Sequence, residues 1–573
     1  MATITRTHRS ELTPLLNNEE IEPIVEFGLR SEVGHLERGS ASLSAGTGHR
    51  RQLRAWLSYA LASEVFAVCS LSLFLPICLE QFARDNGVLD PGRATPCPRR
   101  GEEMLMMAGR CVVRVVGDVW IDTASFSLYI YSTSVAIQAL TVISLGGVAD
   151  HPPHRKRLLL LFASLGSLAT ISFLFLPSHS TLWEICILLA IVANVGFGTS
   201  MVALNAYLPS LARSSPEAIA LHPSSSSPSV NDKVEQYQHA IALSTADISA
   251  KGIAIGYAGG IFVLLICLVP VTILGGTTWS LRVAIGISGV WWAVGTVPTA
   301  LWLRSGEQDV TKSKDIGLGG EVTAAWKRLG EMLRPSEIKK LKNTFVFLSA
   351  WFLLSDGFTS VTTTAVLFAS KTLHMSASSL ILVSILSQLA AIAGSLLFPH
   401  IQKGMRWTNE GALIWLVGGA ALAPIYGCLG FLVEGVGMQF GGLTTPREMY
   451  GFAIFFGAIY GPFQSYARSV FSEVIPRGEE ARWFGLYSIT DKASSFSGPL
   501  IVGLISDATG NMRYAFFFLV GMMLLPIPIL LWAWDVRSGR EDAERYIQER
   551  DWSGRWMTDA REEERLRLID EAE

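Results

Sequence analysis

Tyr59-Ala60-Leu61-Ala62-Ser63-Glu64 and Trp351-Phe352-Leu353-Leu354-Ser355-Asp356 share one pattern, an aromatic followed four residues later by serine and then an acid, each inside a long apolar run. Other pairs repeat in the same chain order. Ser134, Gln138 and Lys156 recur at the spacings of Ser384, Gln388 and Arg406. Ile248-Ser249-Ala250-Lys251 is echoed by Ile489-Thr490-Asp491-Lys492, and two apolar runs close at Pro209 and Pro476. Such weak internal symmetry between halves of like orientation is the mark a transporter leaves on a single sequence.

The apolar runs fall at 55–79, 123–145, 158–177, 182–209, 252–275, 280–303, 344–369, 377–399, 411–433, 449–475, 483–506 and 513–534. They predict an all-α polytopic membrane protein of twelve spans in two pseudo-symmetric six-helix halves, each run being near the roughly 20 residues that cross a bilayer. Composition agrees, with 50% of the 573 residues apolar and 17% charged. Ordinary soluble domains carry about 25% charged residues. A net charge of −3 excludes a polybasic nucleic-acid footprint and leaves the lipid bilayer as the partner surface.

Residues 1–50 are polar and acidic in patches, with no apolar core after a basic start, so no cleavable signal peptide is expected and the segment reads as a disordered cytosolic terminus. The turn after span 2 carries Arg155, Lys156 and Arg157, and the turn after span 8 carries Lys403 and Arg406. By the positive-inside rule these face the cytosol, as do both chain ends. The expected organisation is an N-terminal half at 51–303, an inter-half linker at 304–342, a C-terminal half at 343–534 and a charged cytosolic tail at 535–573. The first half holds a lumenal loop at 80–122 and a serine-rich flexible linker at 213–246. In the inter-half linker, Trp326, Leu329 and Leu333 recur at helical spacing among basic residues and predict a helix along the membrane surface.

An acid near mid-bilayer costs about 2.5–3.5 kcal/mol on insertion scales, so Glu64 and Asp356 are the leading candidates for contact with substrate or protons. Hydrogen bonding to a neighbouring helix is the alternative for each. Gln138 and Gln388 are paired by the repeat. Asn194 and Asn205 share one face of span 4 with Gly198 and Met201, and Gln464 and Arg468 share a face of span 10 with Tyr460. Aligned polar groups in opposite halves suit a water-filled path, although interhelical amide bonding produces the same pattern. Arg468 suits a substrate carboxylate, or Asp356, or snorkelling toward the cytosol.

Lys251 and Lys492 stand at helix starts where a cation opposes the helix dipole, which marks them as gate residues or as snorkelling lysines. Span 5 continues Gly252, Gly256, Gly259 and Gly260, a face that permits close backbone approach. Cys97 and Cys111 fall in the lumenal loop, where a disulfide would staple the loop and two free thiols are the alternative. Glu11-Leu12-Thr13-Pro14-Leu15-Leu16 has the acidic dileucine form, with Glu11, Leu15 and Leu16 as the sorting residues a trafficking adaptor would read. No phosphate-binding loop, HExxH or GxSxG occurs, so ATP-driven transport and common hydrolysis lack equipment. Neither a metal nor a cofactor is expected, and the protein is not expected to be an enzyme.

Several motifs together resemble a known family. Asn205-Ala206-Tyr207-Leu208-Pro209, Lys251-Gly252-x-Ala254-x-Gly256-Tyr257, Ser355-Asp356-Gly357, Trp483-Phe484-Gly485-Leu486-Tyr487 and Trp120-Ile121-Asp122-Thr123-Ala124-Ser125-Phe126 are similar to those of the fungal autophagy-related protein 22 family. That resemblance implies a divergent branch of the major facilitator superfamily in the vacuole membrane, exporting amino acids freed by autophagic breakdown. It also implies alternating access, with spans 1, 4, 7 and 10 lining the path. Other small solutes, or a non-transporting role in autophagic vesicle breakdown, stay open on sequence alone.

The superfamily's loop signature after span 2 is matched by Gly146, Asp150 and Arg155-Lys156-Arg157, which makes Asp150 a gating candidate, but His151-Pro152-Pro153 replaces its basic residue and glycine. A second match, Gly503-x-x-x-Asp507-x-x-Gly510-x-x-Arg513, falls on the lumenal side of the expected topology and reads as accidental there.

Overall fold

In the computed structural model the described residues are 48–90, 92–93, 95–98, 110–115, 119–150, 152–179, 182–220, 230–304, 318–436, 440–476 and 480–549. Among the described residues, ten helices are long and apolar enough to cross a membrane. They are span 1 (Gly48–Asp85), span 2 (within Thr123–Asp150), span 3 (within Pro152–Phe175), span 4 (Ile185–Arg213), span 5 (within Val230–Ile273), span 6 (Thr278–Trp302), span 7 (Lys342–Lys371), span 8 (Ala377–Met405), span 9 (within Asn409–Val436) and span 12 (Met512–Trp532). Two further rods sit between spans 9 and 12. Span 10 is Pro446–Glu473, and span 11 is split into Glu480–Ser494 and Ser497–Thr509. Both are polar for membrane helices because they carry Gln464 and Arg468, and Asp491, Lys492 and Asp507.

Packing repeats the duplication seen in the sequence. Span 2 packs on span 4 and span 8 on span 10; span 3 packs on span 6 and span 9 on span 12. The halves meet where span 2 lies against span 11 and span 5 against span 8, contacts that a pseudo-two-fold axis would exchange. Small residues set how close the helices come. A Cβ added at Gly457 or Gly461 of span 10 would lie 2.2 Å from the carbonyl oxygens of Ser387 and Ala391 on span 8.

The chain departs from a plain bundle in several places. Span 1 passes through a π-helical stretch, Phe66–Phe74, starting two residues after Glu64. Val230–Ile273 is one helix of 44 residues, about 66 Å at 1.5 Å per residue. Residues 230–246, expected to be flexible linker, are thus the first turns of this helix, and Leu208–Arg213 and Pro216–Ala220 are short helices. Past Pro228 the sequence holds no glycine or proline until Gly252, so a helix nucleated in the apolar span propagates backward through it.

Between spans 1 and 2 lies a three-stranded antiparallel sheet, β1 (Val88–Asp90), β2 (Arg110–Val115) and β3 (Val119–Asp122). Cys97 and Cys111 are joined by a disulfide beside it. We call this end of the bundle the hairpin end and the opposite one, where the chain enters and leaves, the terminal end.

At the terminal end the inter-half helix Leu318–Met332 packs along span 2, with Trp326 Nε1 donating to Ser144 Oγ at 3.1 Å. The charged tail is also docked as far as residue 549. Tyr546 donates to Glu337 at 2.8 Å, Lys340 pairs with Glu549 at 2.9 Å, and Arg540 pairs with Glu473.

Candidate functional site between the halves

Glu64 is half-buried on span 1, facing span 5 across Gly256, where an added Cβ would lie 2.7 Å from the Glu64 Cβ and Cγ. The glycine face of span 5 is therefore what admits this side chain. Among the described residues the Glu64 carboxylate makes no hydrogen bond and no ion pair. The cations acting on it are Lys492 of span 11 and Arg468 of span 10, both from the other half. Around them stand Tyr257 of span 5, Tyr460 and Gln464 one turn apart on span 10, and Tyr487 and Asp491 of span 11. Glu64 and Asp491 against Arg468 and Lys492 give two acids and two cations, a set without net charge shared by the halves.

Asp356, the repeat partner of Glu64, sits differently. It is fully buried, and its carboxylate accepts from Gly498 N at 2.9 Å, from Ser360 Oγ at 3.3 Å and from Ser497 Oγ. These groups open the second piece of span 11, so Asp356 holds the amino end of a helix, where a negative charge is favoured. Its neighbour Ser355 donates to Asp491 Oδ1 on the first piece. Asp491 is thus the acid of the C-terminal half in the shared cluster, with its side chain 28% exposed and paired to Lys492 at 3.1 Å. The repeat displays Asp491 in sequence, but its counterpart is the neutral Ala250, so symmetry gave it no weight.

The other sequence candidates separate by surroundings. Gln138 Nε2 donates to the Asn194 carbonyl at 2.8 Å, and Asn194 Nδ2 donates to Ser134 Oγ at 2.6 Å, a buried knot tying span 2 to span 4. Asn205 is exposed at the end of its helix. Gln388 donates to the Ser384 carbonyl at 3.2 Å, and its Oε1 is a buried acceptor with no partner among the described residues. Lys251 is exposed on span 5. The side chain of Asp150 and the dileucine residues Glu11, Leu15 and Leu16 lie outside the described residues. No group of three or more His, Cys, Asp or Glu among the described residues could hold a metal ion.

The halves are latched at the hairpin end. Lys371, ending span 7, pairs with Asp122, whose Oδ1 also accepts from Ala124 N at 2.9 Å and so caps span 2. Asp507 of span 11 accepts from Asp122 N at 2.9 Å and from Tyr129 Oη at 2.6 Å, while Arg110 of β2 donates to its carbonyl at 3.1 Å. Farther along span 2, Ser125 donates to the Gly503 carbonyl at 3.1 Å, and Ser132 to the Phe496 carbonyl. The second signature-like stretch is thus at the hairpin end, where the topology put it, and both its charged residues are engaged. Buried Arg513 donates to the carbonyls of Gly442 at 2.6 Å and Leu443 at 3.3 Å. Toward the terminal end, Arg468 and Lys492 are solvent-accessible. Contacts between the halves thus close the hairpin end, while Arg468 and Lys492 keep exposed surface farther from it.

Comparison with known proteins fits this arrangement. A family model described as "Vacuole effluxer Atg22 like" matches residues 48–544. The chain belongs to this Atg22-like family. Autophagy-related protein 22 of Cryptococcus neoformans var. neoformans serotype D is 40% identical over 561 residues, covering 87% of this chain and 96% of the relative. That of Chaetomium globosum is 36% identical over 539 residues, covering 87% of this chain and 82% of the relative. Among solved structures, a variant of the nucleoside transporter NupG and the POT family transporter PepTSo each superpose with a TM-score of 0.51 at 13% identity. They cover 84% and 85% of this chain and 98% of their own. This Atg22-like chain shares the fold of these two transporters, and its family is that of membrane transporters related to autophagy.

Proposed function

We propose that this Atg22-like protein moves small neutral amino acids from the vacuole lumen to the cytosol by alternating access. The observation that carries the reading is the charge-balanced cluster between the halves, with Glu64 contributed by one and Arg468, Asp491 and Lys492 by the other. An α-amino acid brings one ammonium and one carboxylate. A carboxylate left without hydrogen bonds suits the first, and a guanidinium or lysine ammonium suits the second through charge-assisted bonds. Glu64 is also our candidate for carrying a proton. The family's description as vacuole effluxers supports the compartment and the direction. With the hairpin end in the lumen and the chain ends in the cytosol, the closed end of the present state faces the lumen.

Purified protein in liposomes, assayed with labelled leucine and a competition panel of sugars, peptides and metabolite acids, tests the substrate class. Leucine uptake competed by neutral amino acids supports the reading. Flux of another solute with no amino-acid competition overturns it.

A further inference from the structure

The sequence repeat pairs Glu64 with Asp356, but the side chains that reach the space between the halves are Glu64 and Asp491. We propose that Asp491 is the C-terminal half's substrate-binding acid and that Ser355 and Asp356 are positioning residues, gripping span 11 on both sides of its break. The inference rests on the amino-acid reading above and adds the division of labour within it.

The grip is reciprocal. Ser355 donates to Asp491, three residues before the first piece of span 11 ends, and Asp356 receives Ser497 and Gly498, the first two residues of the second piece. Adjacent residues of span 7 therefore fix both the rotation of the Asp491 carboxylate and the start of the following helix. Gly498 is required for this fit. A Cβ there would lie 1.8 Å from Ser360 Oγ and 2.6 Å from Asp356 Oδ1.

Asp356 has no solvent-exposed surface and a complete set of donors, so a substrate ammonium cannot reach it without dismantling the helix start. Asp491 keeps open surface beside Lys492, within the field of Arg468, and Tyr460 and Tyr487 stand around it. The Tyr487 hydroxyl is buried with no hydrogen-bond partner among the described residues, a second polar group available in this cluster. Tyr487 is held there by stacking on Trp351, ring centroids 4.4 Å apart.

The two acids make different demands on an amide replacement. Asparagine at 356 still offers an oxygen to Gly498 N–H, and its amide NH2 can donate to Ser497 Oγ in place of the bond that Oδ2 accepted, with Ser497 donating to the Ser494 carbonyl, whereas asparagine at 491 loses the anion that meets an ammonium. Full-length protein carrying D491N, D356N, D356A or S355A would be reconstituted and assayed for leucine KM and kcat, with melting temperature measured on each. D491N should raise KM about tenfold or more, the size of one charge-assisted contact, with the melting temperature little changed. D356N should keep KM within about threefold of wild type, while D356A lowers both the melting temperature and kcat. S355A should raise KM less than D491N. An unchanged KM in D491N overturns the proposal, and so does a D356N protein that melts normally, exchanges leucine across the membrane and cannot be driven by a proton gradient. A wild-type protein that moves another solute instead of leucine fails the amino-acid reading, and the contrast between D491N and D356N is then judged on that solute.

Discussion

In the proposed function substrate contact turns on Glu64, because it stands in an apolar helix with no hydrogen bond among the described residues and lies in the field of cations from the opposite half. Replacing it by glutamine keeps the shape and removes the charge. Glu64→Gln should lower leucine flux at least tenfold in proteoliposomes while the protein still purifies as a folded monodisperse species. Its packing partner gives a second prediction. Gly256→Leu would drive a side chain into the Glu64 methylenes and should cost about 1–3 kcal/mol, read as a lowered melting temperature alongside lost transport. At this scale the sequence displayed Glu64, Arg468 and Lys492, and for Asp356 it left hydrogen bonding to a neighbouring helix open, without showing which helix. Periodicity and repeats locate an acid along a helix, whereas the partner that satisfies Asp356 is a helix start 141 residues away. Gln138 and Asn194 took the other branch left open for them, an amide knot between helices.

The elements that matter most are those interrupted inside the membrane. Span 11 is broken between Ser494 and Ser497, and span 1 carries a π-helical stretch just after Glu64, both features that recur at functional sites of transporters and enzymes. Hydropathy shows neither break, because both lie inside apolar runs, but a proline follows each, Pro499 in the first turn of the second piece of span 11 and Pro76 two residues after the π-helical stretch. The latch at the hairpin end was likewise out of reach, since Asp122, Lys371 and Asp507 come from three distant stretches. Removing it by Lys371→Ala with Tyr129→Phe should shift the resting state toward opening at the hairpin end, seen as faster thiol labelling of a cysteine placed at Ser132 from that side. No change in labelling would mean that the latch does not hold the halves. The disulfide acts on the sheet above it. Paired Cys97→Ser and Cys111→Ser should lower stability by at most about 3 kcal/mol, the entropy of a short closed loop, and leave leucine KM unchanged.

On the scale of the whole molecule, twelve rods in two halves meet along span 2 with span 11 and span 5 with span 8. Hydropathy and the repeat made this architecture legible, because each span needs its own apolar length and each half reuses the same pattern. The docked tail and the closed hairpin end were not legible, because they depend on contacts between polar segments that carry no periodic signal, and the backward extension of span 5 to Val230 shows in the sequence only as a stretch without glycine or proline. The central claim is that the halves rock about the cluster of Glu64, Arg468, Asp491 and Lys492. Its most direct test is a pair of distances measured by double electron–electron resonance in proteoliposomes. One pair of spin labels joins positions 119 and 509 across the hairpin end, and the other joins positions 210 and 472 across the terminal end. Across a leucine titration, the account predicts that the first distance distribution gains a longer component as the second gains a shorter one. Two distributions that stay fixed while labelled leucine crosses the membrane would contradict it.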